Sequence, residues 1–403
     1  MLCSYTFNGI YTIAPDGICY NKMKKFAEKE VLRLANAYTD VVEEFKYDSL
    51  YEQYNIDFLQ WRRNTESKLV FRFSDNSLEN FYVSGDAAGK QDAASAERTA
   101  LMHCGQFIGS ALLVSFIAQI AGSSLLNGIL RLVGIHIRTE FLPLSMEGSQ
   151  WAVVAARAVI VLLKFLLPTL LLLKASRFPH RVLAPVMLGG IPEFSAAVGA
   201  GMLISGAYAL ISQKSGLELA QTIFTYKDTA AIVAYCVFDT LIVSALAELF
   251  LRGSIMTLLR QFGDPFAVII TACMAALLPN NLPDRIAELA IGLAAGYLLL
   301  RSGSLTKCIT LRIVFNGLRY ARLIALYTHA TRSNQLLEYS LLLISLGTLA
   351  ASFYVLVRRH SLRLSNRAIV LNGMQKCSVL VQTVTMLPWL AVSVLLTLVQ
   401  IFY

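Results

Sequence analysis

Residues 151–173, WAVVAARAVIVLLKFLLPTLLLL, decide the fold, because only Arg157 and Lys164 among them carry a charge. A helix needs about 20 mainly apolar residues to cross the hydrocarbon core of a bilayer. The whole chain has the same character, since 56% of its 403 residues are hydrophobic and 15% are charged. Soluble domains carry about 25% charged residues. The composition therefore excludes a soluble globular enzyme and a disordered chain, and it predicts a polytopic membrane protein.

Long apolar runs recur through the rest of the chain. We predict nine membrane spans, with a mainly α-helical bundle as the fold class. The spans are 105–130, 151–173, 185–212, 229–250, 265–281, 284–301, 305–328, 336–357 and 378–402. The fifth and sixth are short and are interrupted by Pro279 and Pro283, so a bent pair is the alternative to two straight spans.

The charge divides the chain into two parts. Residues 1–100 have a net charge of −3, whereas the other 303 residues have +12. We predict a polar α/β head over 1–98, with a helix over 27–45 and a hairpin over 68–85, and a membrane domain over 103–402. Residues 84–99 have the composition of a linker. No basic stripe with interleaved aromatics indicates nucleic acid, so the expected partners are the lipid bilayer and a membrane-associated peptide or protein.

Basic residues in short loops predict the orientation, because they favour the cytoplasmic side. Alternate loops would then lie on the same side as the head, in a bacterial cytoplasmic membrane. The residues that support this are Lys174, Arg177, Arg181, Arg252, Arg260, Arg358, Arg359, Arg363 and Arg367. The opposite orientation is favoured by three arginines near the end of the seventh span, Arg319, Arg322 and Arg332.

Neither a metal nor a cofactor is expected. The seven cysteines are scattered singly and none forms a C-x-x-C pair. Two pairs of glycines, Gly105 with Gly109 and Gly292 with Gly296, have the four-residue spacing that lets helices pack closely. We interpret both as packing faces within one chain.

Several ionisable residues fall inside the apolar runs, where each one is expensive and needs a partner. Glu248 and Arg252 are four residues apart, so they can touch on one helix face. Asp239 lies nine residues before Glu248, which places it on the opposite face of a regular helix, where Arg157 is its predicted partner. Lys164 and Glu288 are interpreted as side chains that reach an interface.

Four segments occur in an order that is informative as a set: AELFLRG at 247–253, RQFGDP at 260–265, GLAAGYLLLRSGSL at 292–305 and LRIVFN at 311–316. Together they resemble the CAAX protease and bacteriocin-processing family of intramembrane glutamic peptidases. The resemblance covers about residues 230–325.

The resemblance implies three catalytic motifs: Glu-Glu-x-x-x-Arg, Phe-x-x-x-His and His-x-x-x-Asn. Glu248, Arg252 and Asn316 match them. The other family positions hold Ala247 instead of the first glutamate, Pro279 instead of the first histidine and Arg312 instead of the second. Ala275 stands where the phenylalanine is expected.

In this family a glutamate is expected to activate water, while the histidines and the asparagine stabilise the oxyanion and transfer protons. Because the base and both imidazoles are replaced, we predict a catalytically impaired homologue in which Arg312 pairs with Glu248. Three alternatives stay open: an active endopeptidase that uses Glu248, a membrane binding or immunity module, and a small-solute transporter.

Overall fold

A computed structural model describes a large part of the chain. The described residues are 3–7, 10–14, 49–65, 67, 69–70, 87–134, 137–139, 146–185, 190–214, 229–279, 282–327, 340–352, 354 and 371–402. The helix predicted over 27–45 and most of the hairpin predicted over 68–85 lie outside them. The α/β character of the head therefore stays a prediction.

Three elements of the head are described. Strands β1 (Cys3–Phe7) and β2 (Ile10–Ala14) pair antiparallel, with Phe7 opposite Ile10. Helix α1 covers Ser49–Asn64 and buries Phe58 and Trp61 against the membrane body. The indole Nε1 of Trp61 donates a hydrogen bond of 3.0 Å to the carbonyl of Ser176, at the end of a membrane helix. Helix α1 is thus fixed to one end of the bundle.

The membrane body is a bundle of helices, because the polar backbone groups of an apolar segment find no water in the bilayer and must bond to each other. A short strand pair, β3 (Ile137–Thr139) and β4 (Met146–Gly148), follows the helix that ends at Leu132 and precedes the helix that begins at Gln150. The helices are α2 (Ala87–Leu132), α3 (Gln150–Ser176), α4 (His180–Leu183), α5 (Ile191–Lys214), α6 (Thr229–Phe262), α7 (Asp264–Ala276), α8 (Leu282–Ser302), α9 (Leu305–Tyr327), α10 (Ser340–Ser352), α11 (Gly373–Val381) and α12 (Met386–Phe402).

Helices coincide with all nine predicted spans, but fewer of them meet the length and hydropathy of a crossing helix. Among the described residues, α2, α3, α5 and α6 do so, and α11 with α12 makes a fifth as a pair bent by 89°. Helix α7 has 13 residues, which corresponds to about 20 Å. The count of nine crossings therefore stays a prediction, while the helical membrane architecture is confirmed.

The predicted linker over 84–99 is wrong from residue 87 onward, because α2 begins there and continues without a break to Leu132. Alanine is the best helix former, and five alanines lie between residues 87 and 96. Glu97 is buried in this helix instead of facing solvent. The helix therefore joins the head and the membrane body directly.

Two glycines allow the tight reversals around α7, α8 and α9. Gly263 has φ 121° between α6 and α7, and Gly303 has φ 58° between α8 and α9. Both values lie in the region that glycine adopts without steric cost. Gly263 lies in the RQFGDP segment and Gly303 in the GLAAGYLLLRSGSL segment. The two turns place α7 next to α6 and α9 next to α8.

The glycine pairs do mark close packing within the chain. A Cβ on Gly109 would lie 2.6 Å from the backbone nitrogen of Met386, and one on Gly296 would lie 3.0 Å from Val268. The first contact joins α2 to α12 and the second joins α8 to α7. The interpretation of both pairs as intramolecular packing faces is confirmed.

A buried polar layer surrounds the turn between α6 and α7. The Nε of Arg260 donates to Asp264 at 2.9 Å, and another nitrogen donates to Asn55. The same guanidinium lies 4.8 Å from the ring centroid of Tyr54 and 4.9 Å from that of Phe58. One buried arginine therefore connects α1 to the end of α6.

Helix α11 contacts the same turn. The Nζ of Lys376 donates to the carbonyl of Phe262 at 2.7 Å and lies 3.5 Å from the carboxylate of Glu97. The Nε2 of Gln261 donates to the carbonyl of Leu69 at 2.8 Å. The end of α6 is thereby tied to α2, α11 and the head.

We predict that Arg260→Leu lowers the stability of the folded protein by about 3 kcal/mol, because Asp264 would be left buried without its cation. Thermal unfolding in detergent measures the loss. Arg181→Leu is the matched control, since Arg181 is an exposed arginine on α4. Equal stability of the two variants would show that the polar layer does not hold the head on the bundle.

Candidate functional site

The predicted site lies in the middle of α6, a helix with two irregular segments. Residues Asp239–Val243 and Leu249–Met256 are π-helical, and Ser244–Glu248 between them is α-helical. π-Helical segments are rare and frequently occur at functional sites. Ala247, Glu248 and Arg252 are all buried there, and Glu248 and Arg252 have no exposed surface.

Glu248 is held first by an arginine of its own helix. The Nη1 of Arg252 donates to Oε1 of Glu248 at 3.3 Å, and Nε lies 3.3 Å from Oε2. The predicted contact between residues four apart is therefore present. Its burial makes it different from the exposed pairs of this spacing that are common on soluble helices.

Arg312 on α9 provides the second cation. Its Nε donates to Oε1 of Glu248 at 2.6 Å, which is the pairing predicted for the residue at the family's second histidine position. Its two terminal nitrogens donate to Glu288 at 2.5 and 2.6 Å. The interpretation of Glu288 as an interfacial side chain is thus wrong, because both of its oxygens bind one guanidinium in the fork geometry that arginine favours.

The cluster is formally neutral, with Glu248 and Glu288 opposite Arg252 and Arg312. Buried ion pairs are tolerated when their geometry and hydrogen bonds are good, and removal of one partner leaves an uncompensated charge. In the described part of the chain, Oε2 of Glu248 and Nη2 of Arg252 have no hydrogen-bond partner. The carboxylate is therefore engaged mainly through Oε1.

Asn316 lies one turn beyond Arg312 on α9, but it does not contact Glu248. Its Nδ2 donates to Oγ of Ser244 at 2.9 Å. Ser244 itself lies one turn before Glu248 on α6. The asparagine therefore belongs to the same interface and occupies the next contact along it.

A third contact continues this interface. The hydroxyl of Tyr320 donates to Oδ2 of Asp239 at 2.7 Å, and Arg157 donates to Oδ1 at 3.2 Å. The pairing of Asp239 with Arg157 is confirmed. Its placement on the face opposite Glu248 is wrong, because Asp239 faces α9 just as Glu248 does.

The π-helical segment Asp239–Val243 explains why Asp239 and Glu248 lie on the same face of α6. Arg312, Asn316 and Tyr320 are four residues apart on α9, whereas Glu248, Ser244 and Asp239 on α6 are separated by four and then five. In a regular helix, nine residues amount to half a turn out of phase. The i→i+5 turn over Asp239–Val243 contains the extra residue, so all three contacts share one face. We call these three contacts the α6–α9 polar column.

The three positions that the resemblance predicts to hold replaced catalytic residues, Ala247, Pro279 and Arg312, do not all lie together. Ala247 is buried on α6 next to Glu248. Its methyl group can neither accept a proton nor form a hydrogen bond. Pro279 lies in the turn after α7, and its carbonyl accepts a hydrogen bond of 3.1 Å from Nε of Arg285. Among these three residues, Arg312 is the one whose side chain donates a hydrogen bond to Glu248.

Close packing encloses the cluster from the side of α7 and α8. A Cβ on Gly292 would lie 2.7 Å from Cα of Ala272 and 3.1 Å from Nη2 of Arg252. The absence of a side chain at Gly292 therefore lets α8 approach α7 and cover the guanidinium. The backbone leaves no room there for a larger residue.

Among the residues that the structure describes, no group of three or more His, Cys, Asp or Glu side chains is placed to hold a metal ion. Glu248 and Glu288 are joined to each other through Arg312.

Sequence reasoning missed Glu288, Ser244 and Tyr320. A signal for Tyr320 existed, because Arg312, Asn316 and Tyr320 repeat every four residues on a membrane helix. Glu288 was recognised as an unusual charge but was given no partner. Ser244 is an ordinary small residue, and only its position opposite Asn316 identifies it.

We predict that Arg312→Leu destabilises the protein more when Glu248 is present than in a Glu248→Gln background. The reason is that the substitution leaves a buried carboxylate without its second cation. A double-mutant cycle based on unfolding in detergent should give a coupling of about 1–3 kcal/mol between the two residues. Equal losses in both backgrounds would contradict direct pairing.

We also predict that Gly292→Ala destabilises the bundle by about 1–3 kcal/mol, because the new methyl group meets backbone and not a flexible side-chain end. Gly122→Ala is the matched control, since a Cβ there has its nearest neighbour at 3.9 Å. Thermal unfolding of the two variants provides the comparison. A Gly292→Ala variant as stable as Gly122→Ala would show that α7 and α8 can separate at low cost.

Comparison with known proteins agrees with this part of the chain. Residues 229–318 match the model of a family described as Rce1-like, type II CAAX prenyl endopeptidase Rce1-like. The match confirms the resemblance to CAAX protease-like membrane proteins, and it contains α6, α7, α8 and most of α9. Searches of curated proteins and of solved structures give no match to the chain.

Proposed function

We propose that this CAAX protease-like membrane protein is a non-hydrolytic homologue that binds a membrane-associated peptide or protein without cleaving it. The observation that carries the proposal is the position of Glu248, whose Oε1 accepts hydrogen bonds from both Arg252 and Arg312. A family scaffold is retained around a carboxylate that serves as an anchor for two guanidiniums.

The first argument concerns the general base. A base must reach the proton that it removes from water at about 2.6–3.2 Å, directly or through one further water. Here the first glutamate of the family motif is replaced by Ala247, and the remaining Glu248 is already used in a short contact with Arg312. An arginine cannot pass the proton on, because it stays protonated in proteins.

The second argument concerns the oxyanion. Acyl transfer needs preorganised donors aimed at the oxygen that becomes negative. The amide of Asn316 donates to Ser244 instead, and Pro279 supplies no donor where the family has a histidine. Arg312 donates hydrogen bonds from all three of its guanidinium nitrogens to Glu248 and Glu288. The donors of Asn316 and Arg312 are therefore bound to other side chains, whereas Nη2 of Arg252 has no hydrogen-bond partner among the described residues.

A second candidate is an active endopeptidase that uses Glu248. The observation in its favour is Oε2 of Glu248, which has no hydrogen-bond partner among the described residues. A water molecule bound to that oxygen would be the nucleophile. Arg252 would then be the positively charged group nearest to the reacting carbonyl.

The transporter alternative has less support. Each contact of the α6–α9 polar column joins two side chains directly, and Asp239 is additionally held by Arg157. Direct contacts of this kind stabilise a helix interface without a bound solute. We retain the nine-span topology, the cytoplasmic head and a bacterial cytoplasmic membrane as parts of the proposal, on the strength of the apolar runs and of the basic loops.

We predict that the wild-type protein in liposomes releases no more tripeptide from a prenylated CAAX peptide than Glu248→Gln does. The two proteins differ by one atom type at the carboxylate and are purified identically, so contaminating peptidases affect both equally. Product release is measured by mass spectrometry. Cleavage by the wild type that Glu248→Gln abolishes would contradict the proposal and establish the second candidate.

The binding half of the proposal has its own measurement. A fluorescent prenylated peptide should bind wild type and Glu248→Gln in liposomes with dissociation constants within about threefold of each other, because Glu248 is enclosed in the bundle and does not touch the peptide. Fluorescence anisotropy reports the binding. If neither protein binds more peptide than empty liposomes do, the scaffold does not act as a receptor for this class of peptide.

A further inference from the structure

Three cations follow the lipid-facing part of α3. Lys174 lies in the last turn of this helix, Arg177 is the residue that caps its end, and Arg181 lies on α4. All three side chains are exposed. Leu170 and Leu171, one helical turn before Lys174, are 52% and 45% exposed, as expected for side chains that face lipid. The cations therefore lie where the hydrocarbon core meets the lipid headgroups, and we call them the basic patch.

The basic patch is not neutralised by any carboxylate within the described part of the chain. The ion pairs found there join other basic residues, such as Arg157, Arg252 and Arg312, to their acids. The three cations of the patch are therefore available to an anion outside the protein.

The backbone of Arg177 has a conformation that is costly for its residue type. It has φ 54° and ψ 39°, which is left-handed, and its N–H donates to the carbonyl of Leu173 at 2.8 Å. Glycine or asparagine usually occupies this capping position, because a Cβ is crowded there. Among the described residues, Arg177 is the one non-glycine residue with a positive φ. Local strain of this kind points to a role for the side chain.

The segment that carries the basic patch is fixed on its inner side. Phe178 and Val182 are buried, and the ring centroid of Phe178 lies 4.4 Å from that of Trp61. The carbonyl of Leu183 packs so closely on α6 that a Cβ on Gly253 would lie 2.5 Å from it. Because packing occupies the inner side, the cations are held on the outer side of a fixed segment.

Position and charge identify the kind of partner. Clusters of lysine and arginine beside a spanning helix are attracted to the anionic lipids of the adjacent leaflet, and each cation near the surface strengthens binding about fivefold. A phosphate group suits both residue types, since arginine binds it through two nitrogens and lysine binds it as a point charge. Lipid phosphates occupy the layer at which α3 leaves the hydrocarbon, so their local concentration at the patch is high.

We propose that the basic patch binds the phosphate group of an anionic phospholipid, with Lys174, Arg177 and Arg181 as its cations. The lipid lies in the leaflet on the side where Trp61 of α1 contacts the end of α3. Contact with the phosphate offsets the backbone strain at Arg177. This assignment does not depend on whether the protein cleaves or binds peptides, because none of the three cations belongs to the Glu248 cluster.

Lipid titration of the whole protein in neutral dodecyl maltoside micelles tests the proposal. The probes are phosphatidylglycerol and phosphatidylcholine, and thermal unfolding reports their binding, because a ligand of the folded state raises the unfolding temperature. Phosphatidylglycerol should raise it more than phosphatidylcholine does. The difference should shrink at about 1 M salt, where exposed charges are screened beyond about 3 Å. Equal shifts with the two lipids would overturn the proposal.

Substitution of Arg177 assigns the effect to the patch. Arg177→Gln should weaken the binding of phosphatidylglycerol by about fivefold and leave that of phosphatidylcholine unchanged. Arg131→Gln is the matched control, since Arg131 is an exposed arginine in the last turn of α2. A loss in the control as large as the loss in Arg177→Gln would show general charge attraction and would contradict a site at the patch.

Arg177→Gly separates lipid binding from the role of the residue at the helix end. Glycine adopts this φ without steric cost, so without lipid the variant should unfold at the same temperature as wild type or higher. It should nevertheless lose phosphatidylglycerol binding as Arg177→Gln does. A positive charge near a helix C-terminus also stabilises the helix. A lower unfolding temperature without lipid, together with unchanged lipid binding, would show that Arg177 serves the helix end and would overturn the proposal.

Inorganic phosphate distinguishes the lipid from a soluble anion. An excess of it should leave most of the shift caused by phosphatidylglycerol in place when ionic strength is matched with sodium chloride, because the lipid is held at the patch by its acyl chains. If inorganic phosphate abolishes that shift and itself raises the unfolding temperature, the patch is a site for soluble phosphate and the assignment to a lipid is wrong.

Discussion

The carboxylate of Glu248 is the constraint on which the membrane core depends. It has no exposed surface, and Arg252 of its own helix and Arg312 of α9 both bind its Oε1. Arg312 in turn binds Glu288 on α8. Helices α6, α8 and α9 therefore meet at two carboxylates and two guanidiniums. Removal of any one of these four side chains would leave a buried charge without its partner.

The register of α6 allows this cluster to extend into a column. An insertion equivalent to one residue, in the π-helical turn Asp239–Val243, rotates Asp239 onto the face that carries Ser244 and Glu248. Asp239 then meets Tyr320, while Arg157 binds from α3. Helices α3, α6 and α9 are therefore held at a second level.

Local spacing made much of this predictable. Glu248 with Arg252, and the family position that places Arg312 near Glu248, depend on a few residues of one helix or one motif. Gly263 and Gly303 lie within two of the short segments on which the family resemblance depends. Asp239 was placed on the wrong face because a π-helical turn has no simple sequence signature and a regular helix was assumed. Glu288 was missed because its partner lies on another helix, and distances between helices are set by packing at residues such as Gly292.

The central claim is that Glu248 is an anchor enclosed by protein and not a base in contact with water. Its most direct test is the reaction of the protein in liposomes with dicyclohexylcarbodiimide, an apolar reagent that modifies membrane carboxyl groups, followed by mass spectrometry of the peptide that contains Glu248. The account predicts no modification of Glu248 in the folded protein and modification after unfolding in detergent. Modification of Glu248 in the folded protein would show an open carboxyl group and would contradict the account.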